Sequence, residues 1–295
     1  MQPLELYIHI PFCVKKCAYC DFLSGPAGEK EKEEYVKMLV DEIRNCPDTV
    51  QNYRVISIFF GGGTPSLLTG EQIGRLMDTV REIFTLDEDA EITMEMNPGT
   101  VTEEKLRKYR QAGVNRLSIG LQSVNDEELR LLGRIHTYEE FREAYHLARA
   151  NGFSNINVDL ISAIPGQTVE SWRRTLEQVM ALSPEHISAY SLILEEGTTF
   201  YKKYVEDEAK EGPKLPDEDA ERQMYWDTET LMEKNGYHRY EISNYAKEGY
   251  ACRHNLGYWE RIPYLGFGIG AASLVPGDLI GKCRKLEGKM SRYTN

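Results

Sequence analysis

The feature that most constrains the fold is an alternation of short apolar runs with longer amphipathic stretches along the chain. The runs are rich in Ile, Val, Leu, Phe or Tyr and end at Gly, Pro or Asn, as buried strands do. Strands are predicted at Leu4–Ile10, Val55–Phe60, Glu91–Met96, Arg116–Leu121, Asn155–Ile161 and His186–Leu194. Helices are predicted at residues 30–46, 71–84, 102–112, 138–151, 169–182 and 217–235.

Strand–helix units in series predict an α/β fold with parallel strands and right-handed crossovers. Three helices begin at capping boxes, in which a Thr side chain and a Glu or Gln three residues later bond reciprocally to the backbone. These boxes are Thr69 with Gln72, Thr100 with Glu103, and Thr137 with Glu140. The pattern is compatible with an open doubly wound sheet and with an incomplete (β/α) barrel.

After Gly236 the sequence becomes aromatic and glycine-interrupted, which indicates a second module. We therefore predict a core domain over residues 1–236 and the start of a C-terminal module over 237–295. The 35 basic and 47 acidic residues give a formal net charge of −12, which disfavours nucleic-acid binding. No apolar stretch approaches the roughly 18 residues of a membrane helix, so a cytoplasmic chain without an integral membrane segment is expected.

Three of the six cysteines lie close together directly after the first predicted strand, as Cys13-x3-Cys17-x2-Cys20. Clustered thiols in a cytosolic chain more often bind metal or carry out redox chemistry than form disulfides. A four-iron cluster held by three thiolates keeps one iron open to a small molecule. The alternative is zinc, with His9 as a fourth ligand. The absence of a second Cys-x2-Cys or His-x3-His pair favours iron–sulfur.

Polar residues follow the other strands at their C-terminal ends. The second strand runs into Gly61–Gly63, Thr64 and Pro65, and consecutive glycines suggest a backbone that approaches a ligand closely. Later strands and their loops supply Glu95, Asn97, Gln122, Arg134 and Asp159. In parallel βα folds these ends meet at one rim, where ligands bind. A shared polar ligand is thus favoured over a separate internal hydrogen bond for each side chain.

The cysteine spacing, the Gly-Gly-Gly-Thr-Pro turn and the Glu, Gln and Asp series resemble the radical S-adenosylmethionine (SAM) enzymes. The segments Tyr7–Cys13, Leu117–Ser123 and Asp159–Thr168 are similar to the coproporphyrinogen dehydrogenase-related group within that family. The resemblance covers essentially the whole chain. It implies an incomplete, TIM-like (β/α)6 barrel, which would decide between the two sheet types.

The resemblance also implies roles for individual residues. Cys13, Cys17 and Cys20 would hold three irons of a [4Fe-4S] cluster, and SAM would chelate the fourth through its amino and carboxylate groups. Residues implied to contact SAM, or to lie beside it and the cluster, are Tyr7, Tyr19, Gly62, Gly63, Thr64, Glu95, Gln122, Arg134, Asp159 and Ile193. No catalytic residue is assigned.

Two features resemble the HemW-type haem chaperone branch of this group. Phe22 occupies the position where the dehydrogenase carries a further cysteine, and the chain enters its first strand without a long leading segment. His254-Asn255-Leu-Gly-Tyr258-Trp259 is similar to a motif associated with haem. His254 is thereby implied as a haem ligand, since imidazole is a normal ligand of haem iron. The residues alone favour the alternative, a histidine hydrogen-bonded within an aromatic core.

The branch implies a protein that binds a [4Fe-4S] cluster, SAM and haem and passes haem to an acceptor protein, which could be membrane-associated. The alternative is an oxygen-independent coproporphyrinogen III dehydrogenase that decarboxylates two propionates by a radical route. Two departures from the family concern the C-terminal module. Ala272 stands where relatives usually have His, and the chain stops at Asn295 where relatives continue, so we expect a truncated module.

Overall fold

One sheet runs through the part of the chain that the computed structural model describes, which is residues 1–207, 211–276, 279 and the backbone of 291–294. Its strands are β1 (Gln2–Ile10), β2 (Tyr53–Gly62), β3 (Thr85–Met96), β4 (Arg116–Gln122), β5 (Ile156–Ser162), β6 (His186–Ser191), β7 (His238–Arg239), β8 (Asn244–Ala246), β9 (Tyr264–Phe267), β10 (Ala272–Val275) and β11 (Ser291–Thr294). The helices are α1 (Glu29–Arg44), α2 (Gly70–Ile83), α3 (Glu103–Ala112), α4 (Asp126–Leu132), α5 (Tyr138–Ala150), α6 (Val169–Ala181), α7 (Thr199–Tyr201), α8 (Glu218–Lys234) and α9 (Arg253–Glu260).

The strand order decides between the two sheet types. Strands β1 to β6 are parallel and lie side by side in the order of the chain. Right-handed crossovers that always step in one direction place the connecting helices on one face of the sheet. A doubly wound sheet would instead reverse its strand order at a switch point. The fold is therefore the incomplete (β/α)6 barrel that the family resemblance implied.

Alternation along the strands gives the sheet one apolar and one polar face. In β1, Leu4, Leu6 and Ile8 are fully buried in the core that includes the helices. Glu5 and Tyr7, between them, face the concave side of the partial barrel, because successive side chains of a strand point to opposite faces. The concave face thus carries the polar groups from which a site can be built.

The predicted positions of the first six strands and of their helices are confirmed, with two corrections. Strand β6 ends at Ser191 rather than Leu194, because the chain leaves the sheet there. The box at Thr100 is wrong, since Thr102 caps α3 by accepting a hydrogen bond from the Lys105 amide at 3.3 Å. The boxes at Thr69 and Thr137 are confirmed.

Residues after Gly236 extend the same sheet at both edges. Strand β8 pairs antiparallel with β6, and β9 pairs parallel with β1. Helix α9 lies against the concave face, where the amides of Arg253 and His254 donate to the carboxylate of Glu91 in β3. The boundary at 236 stays a prediction, and much of 277–295 lies outside the described residues. Among those described, no helix has both the length and the apolar character to cross a membrane.

The packing of α9 on β1 leads to a stability prediction. A Cβ atom added at Gly257 would collide with the carboxyl group of Glu5, which is fully buried and bonded to Ser57 and therefore cannot swing into solvent. We expect Gly257→Ala to lower the free energy of unfolding by about 1–3 kcal/mol, measured by urea denaturation.

The control is Gly74→Ala in α2, where an added Cβ meets no atom within 4 Å. Alanine there should leave the free energy of unfolding unchanged or raise it by up to about 1 kcal/mol. Equal stability of the two variants would contradict the close packing of α9 on β1.

Candidate cofactor site

The loop that carries the three cysteines is closed at its base by main-chain hydrogen bonds. The Cys13 amide donates to the Gly25 carbonyl at 2.9 Å, and the Gly25 amide donates to the Pro11 carbonyl at 3.0 Å. Further along, the Ala18 amide donates to the Leu132 carbonyl at 2.9 Å, which ties the loop to the end of α4. The three thiols are half-buried and form no disulfide. The loop is thus held in place on two sides.

The glycine turn after β2 is hydrogen-bonded to the residues just before this loop. The amides of Gly63 and Thr64 donate to the carbonyls of Ile10 and Phe12, at 2.9 and 2.7 Å. A Cβ at Gly63 would lie 2.6 Å from the Phe12 oxygen. Gly63 is therefore required by close packing of backbone against backbone, whether or not a ligand also approaches this turn. Since an ammonium group can only donate, SAM would use carbonyl oxygens of this turn.

A cavity of about 430 Å³ opens at the C-terminal ends of the parallel strands. It brings together the cysteines and nearly all of the residues implied to contact SAM. The members of that set lining it are Cys13, Cys17, Tyr19, Cys20, Gly62, Gly63, Thr64, Glu95, Gln122, Arg134, Asp159 and Ile193. Ile193 does so from the segment after β6 rather than from the strand, and its side chain is exposed.

Arg134 links the cysteine loop to the strand ends. One terminal nitrogen donates to Asn97 Oδ1 at 2.6 Å and to the Gly120 carbonyl at 2.8 Å, and the other lies 3.8 Å from the Cys17 sulfur. Asn97 in turn donates to Thr64 Oγ1 at 2.8 Å. Asn97, which the sequence groups with the polar residues of the rim, thus connects Arg134 to Thr64. A guanidinium beside a thiolate stabilises its negative charge.

Gln122 sits at the end of β4 in a left-handed backbone conformation, with φ of 72°. The pairing register with β5 shifts at the same point, between Gly120 and Gln122. Residues other than glycine adopt such a conformation at an energetic cost, and they cluster at functional sites. Gln122 Oε1 and Arg134 Nε are buried without a hydrogen-bond partner among the described residues. Both therefore fit a polar ligand in this cavity.

Two carboxyl groups at the floor of the cavity have raised pKa values. Glu95 accepts a hydrogen bond from the Gly62 amide at 3.0 Å, but burial, with the nearby Asp159, raises its pKa to about 8. Burial also raises the pKa of Asp159, although Ser118 and Asn157 donate to it at 3.0 and 2.8 Å. A cationic ligand would favour the ionised form of both groups.

A smaller cavity of about 170 Å³ lies deeper on the concave face and shares Glu95 and Asp159 with the first. Tyr7 lines this inner cavity together with Glu95. Its expected place beside the cluster and SAM stays a prediction. Tyr7 reaches the cysteine loop indirectly, because its hydroxyl lies 3.1 Å from His9 Nδ1 and His9 Nε2 lies 3.0 Å from the Leu23 carbonyl. Both nitrogens of His9 therefore have a hydrogen-bond partner.

His254 also lies in the inner cavity and is 2% exposed. Its Nδ1 is 2.8 Å from Ser57 Oγ, its Nε2 is 3.0 Å from the Tyr258 hydroxyl, and its ring stacks on Phe59. Burial lowers its pKa to about 3. This is the hydrogen-bonded aromatic environment that the residues alone favoured. Coordination of haem iron by His254 would require one of these two hydrogen bonds to break, and the haem role of His254 stays a prediction.

The ligand geometry also bears on the choice of metal. Among the described residues, no three His, Cys, Asp or Glu side chains lie close enough together to hold a single ion. A zinc site needs ligands gathered round one ion, whereas a four-iron cluster binds each thiolate through a different iron. Burial raises the pKa of the Cys20 thiol, and the neighbouring Cys17 and Cys13 raise it further. Cationic iron would offset both effects.

The incomplete barrel and the cysteine loop at its rim define a cofactor-binding protein of the radical SAM class. The family model of the Radical SAM superfamily matches residues 7–179, and the chain belongs to that superfamily, in its HemW heme chaperone branch. The chain is 44% identical over 272 residues to "Heme chaperone HemW" of Escherichia coli, and 39% identical over 272 residues to that of Bacillus subtilis. These alignments cover 92% of this chain and 70% or 71% of the relatives.

A solved structure of coproporphyrinogen III oxidase (HemN) from Escherichia coli, described as a radical SAM enzyme, is similar with a TM-score of 0.80. The two chains are 30% identical, and the match covers 92% of this chain and 64% of that one. The chain therefore spans about two thirds to 70% of the length of these proteins.

The raised pKa of Glu95 predicts a pH dependence. An unfolded glutamate ionises near 4.5, whereas folded Glu95 keeps its proton up to about 8, so folding binds a proton between these values. The contribution of Glu95 to the free energy of unfolding of the cluster-free protein should fall as pH rises from about 5 to 8. Glu95 changes the free energy of unfolding by at most about 1.4 kcal/mol per pH unit.

In urea unfolding at several pH values, the free energy of unfolding of Glu95→Gln relative to that of the wild type should rise with pH between about 5 and 8, because glutamine does not titrate. The matched control is Glu103→Gln on the exposed first turn of α3, which should keep the wild-type profile. Parallel profiles for the wild type and Glu95→Gln would contradict the raised pKa.

Proposed function

We propose that this protein binds a [4Fe-4S] cluster, SAM and haem and transfers haem to an acceptor protein. The observation that most supports this proposal is the 430 Å³ cavity. It is lined by three half-buried thiols and by residues whose buried polar atoms have no partner among the described residues. The relatives named as heme chaperones support the part that concerns haem.

In this proposal Cys13, Cys17 and Cys20 would hold the cluster by binding one iron each, and SAM would bind beside them at the iron that no thiolate holds. Arg134 stabilises the negatively charged cluster from beside Cys17. When bound and reduced, such a cluster supplies an electron for cleavage of SAM. Thr64 keeps the loop in position, since its hydroxyl lies 3.5 Å from the Cys13 sulfur and accepts from Asn97.

The remaining cavity residues are assigned to SAM by their chemistry. The turn at Gly62–Thr64 and the carboxyl of Glu95 suit the ammonium group, because they offer acceptors. Gln122 and Asp159 suit the ribose hydroxyls, which both donate and accept. Tyr19 and Ile193 offer apolar surface to the adenine, and Arg134 Nε is the donor left for the SAM carboxylate.

One position in the cysteine loop favours the chaperone over the dehydrogenase. Phe22, where the dehydrogenase group carries a further cysteine, is 59% exposed at the edge of the cavity. The structural similarity to HemN keeps an oxygen-independent coproporphyrinogen III dehydrogenase as the second candidate. Anaerobic conversion of coproporphyrinogen III by the reconstituted protein would favour the second candidate over the first.

A reducing compartment suits the proposed site. Cys13, Cys17 and Cys20 bind iron only as reduced thiolates, and the described cysteines form no disulfide. The proposal therefore places the protein in the cytoplasm, where it would meet its acceptor.

The cluster assignment predicts the metal content of single variants. Anaerobically reconstituted wild type should contain about four irons and four sulfides per chain. Cys17→Ala should lose most of both, because a cluster with two thiolates is poorly held. Cys46→Ala is the matched control, since Cys46 lies at the end of α1 and does not line the cavity.

The same samples test the open iron. Electron paramagnetic resonance of the reduced wild type should shift when SAM is added, because SAM becomes an iron ligand. One zinc per chain without iron, or full iron content in Cys17→Ala, would contradict the proposal.

A further inference from the structure

His254 lies between two hydroxyl groups, and their other contacts decide which of its ring nitrogens carries the proton. Nδ1 is 2.8 Å from the Ser57 hydroxyl, and Nε2 is 3.0 Å from the Tyr258 hydroxyl. A hydroxyl can both donate and accept, so neither distance identifies the tautomer by itself.

The single hydroxyl hydrogen of Ser57 is already used in another bond, because Ser57 donates to Glu5 Oε1 at 2.9 Å. Toward His254 the Ser57 oxygen can therefore only accept, and Nδ1 must be the protonated nitrogen. The second oxygen of Glu5 agrees with this tautomer. Glu5 Oε2 is buried without a hydrogen-bond partner among the described residues and lies 4.0 Å from Nδ1. Two acceptor oxygens thus face Nδ1.

Nε2 is then the nitrogen with a free lone pair. Burial disfavours the charged form of imidazole, and the neutral ring has only one N–H. The Tyr258 hydroxyl must therefore donate to Nε2. The unprotonated nitrogen of a neutral imidazole is the one that binds a metal. The Tyr258 hydroxyl consequently occupies the position that haem iron would take.

The two hydrogen bonds of His254 differ in how easily they can open. Ser57 in β2 and Glu5 in β1 are fully buried, so neither can move away from the ring. Tyr258 is 40% exposed and lies one helical turn after His254 in α9. A change of rotamer can turn its side chain toward solvent while the main chain of α9 stays on the sheet. The bond at Nε2 is the one that opens.

The ring of His254 keeps its orientation when Tyr258 leaves. It stacks on Phe59, with 5.2 Å between the ring centroids and 27° between the planes. Phe59 and Ser57 are two residues apart in β2, so both contacts come from the same face of one strand. A histidine whose second nitrogen donates to a fixed acceptor is held in place and is a more basic metal ligand.

We propose that Ser57 and Glu5 are positioning residues for haem coordination: through Nδ1 they hold His254 in the tautomer whose Nε2 binds the iron, and the Tyr258 hydroxyl covers Nε2 until haem displaces it. This inference rests on the proposed function, which supplies haem as the ligand. Coordination exchanges one hydrogen bond for one iron–nitrogen bond, and no proton is gained or lost.

The test of the positioning role is an absorbance titration of the anaerobically reconstituted protein with haem, followed by the midpoint potential of the bound haem. Ser57→Ala should bind haem about 10- to 100-fold more weakly, because Nδ1 loses its acceptor. Its bound haem should have a higher midpoint potential, since a less basic imidazole stabilises ferric iron less. Glu5→Gln should shift both quantities in the same direction but by less, because an amide keeps one acceptor oxygen.

The test of the covering role uses the same titration with Tyr258→Phe. This variant should bind haem about twofold to tenfold more tightly, because no hydroxyl competes with the iron for Nε2. Damage to the fold would weaken haem binding in every variant, whereas the tautomer predicts opposite effects for Ser57→Ala and Tyr258→Phe. Because Tyr258 is half-exposed, this variant also tests the tautomer if Ser57→Ala does not fold.

Matched controls remove buried hydroxyl groups away from His254. Thr79→Val removes a hydroxyl that donates to the Arg75 carbonyl at 2.8 Å, and Tyr237→Phe removes one that donates to the Pro184 carbonyl at 2.7 Å. Both should titrate like the wild type. His254→Gln should lose most of its haem affinity, with folding checked by circular dichroism.

Each contrary outcome has a distinct meaning. An unchanged affinity and potential in Ser57→Ala would overturn the positioning role, and weaker or equal binding by Tyr258→Phe would overturn the covering role. Full haem affinity in His254→Gln would overturn the whole inference and leave the chaperone proposal standing. A wild type that binds cluster and SAM but no haem would overturn the proposed function itself.

Discussion

The candidate site depends on one main-chain contact, between the turn after β2 and the end of β1. The amides of Gly63 and Thr64 bond to the carbonyls just before the cysteines, and Gly63 leaves no room for a side chain. This contact fixes the point at which the chain leaves β1 and enters the cysteine loop. Asn97, Arg134 and the thiols then connect to it through side-chain hydrogen bonds. Loss of this backbone contact would disturb the whole rim together.

The partial barrel combines an apolar convex face with a concave face rich in ionisable groups. Glu5 is fully buried there, and burial raises its pKa to about 8. Burying such groups is costly unless hydrogen bonds or ligands satisfy them. Helix α9 satisfies some of them at the deep end, where Glu91 accepts from the backbone of α9. At the rim, the unpartnered atoms of Gln122 and Arg134 are left for a ligand.

The strands and the rim residues could be predicted from the sequence because both follow from local patterns. Apolar runs gave the positions of β1 to β6, and polar residues at strand ends gave Glu95, Gln122 and Asp159. The two-residue alternation of β1 turns Tyr7 toward the inner cavity. The residues alone favoured a hydrogen-bonded histidine in an aromatic core for His254, but they could not identify its partner Ser57, which is nearly two hundred positions away in the chain. Long-range contacts of this kind have no signature in local sequence.

The place of β1 in the sheet has a consequence for folding. This strand lies between β2 and β9, so one of its two neighbours is almost the last described element of the chain. A protein whose first strand must pair with such a distant one has high contact order and folds slowly for its size. During synthesis the outer edge of β1 stays unpaired until β9 has been made. Nascent chains are therefore prone to edge-to-edge association before the partial barrel is complete.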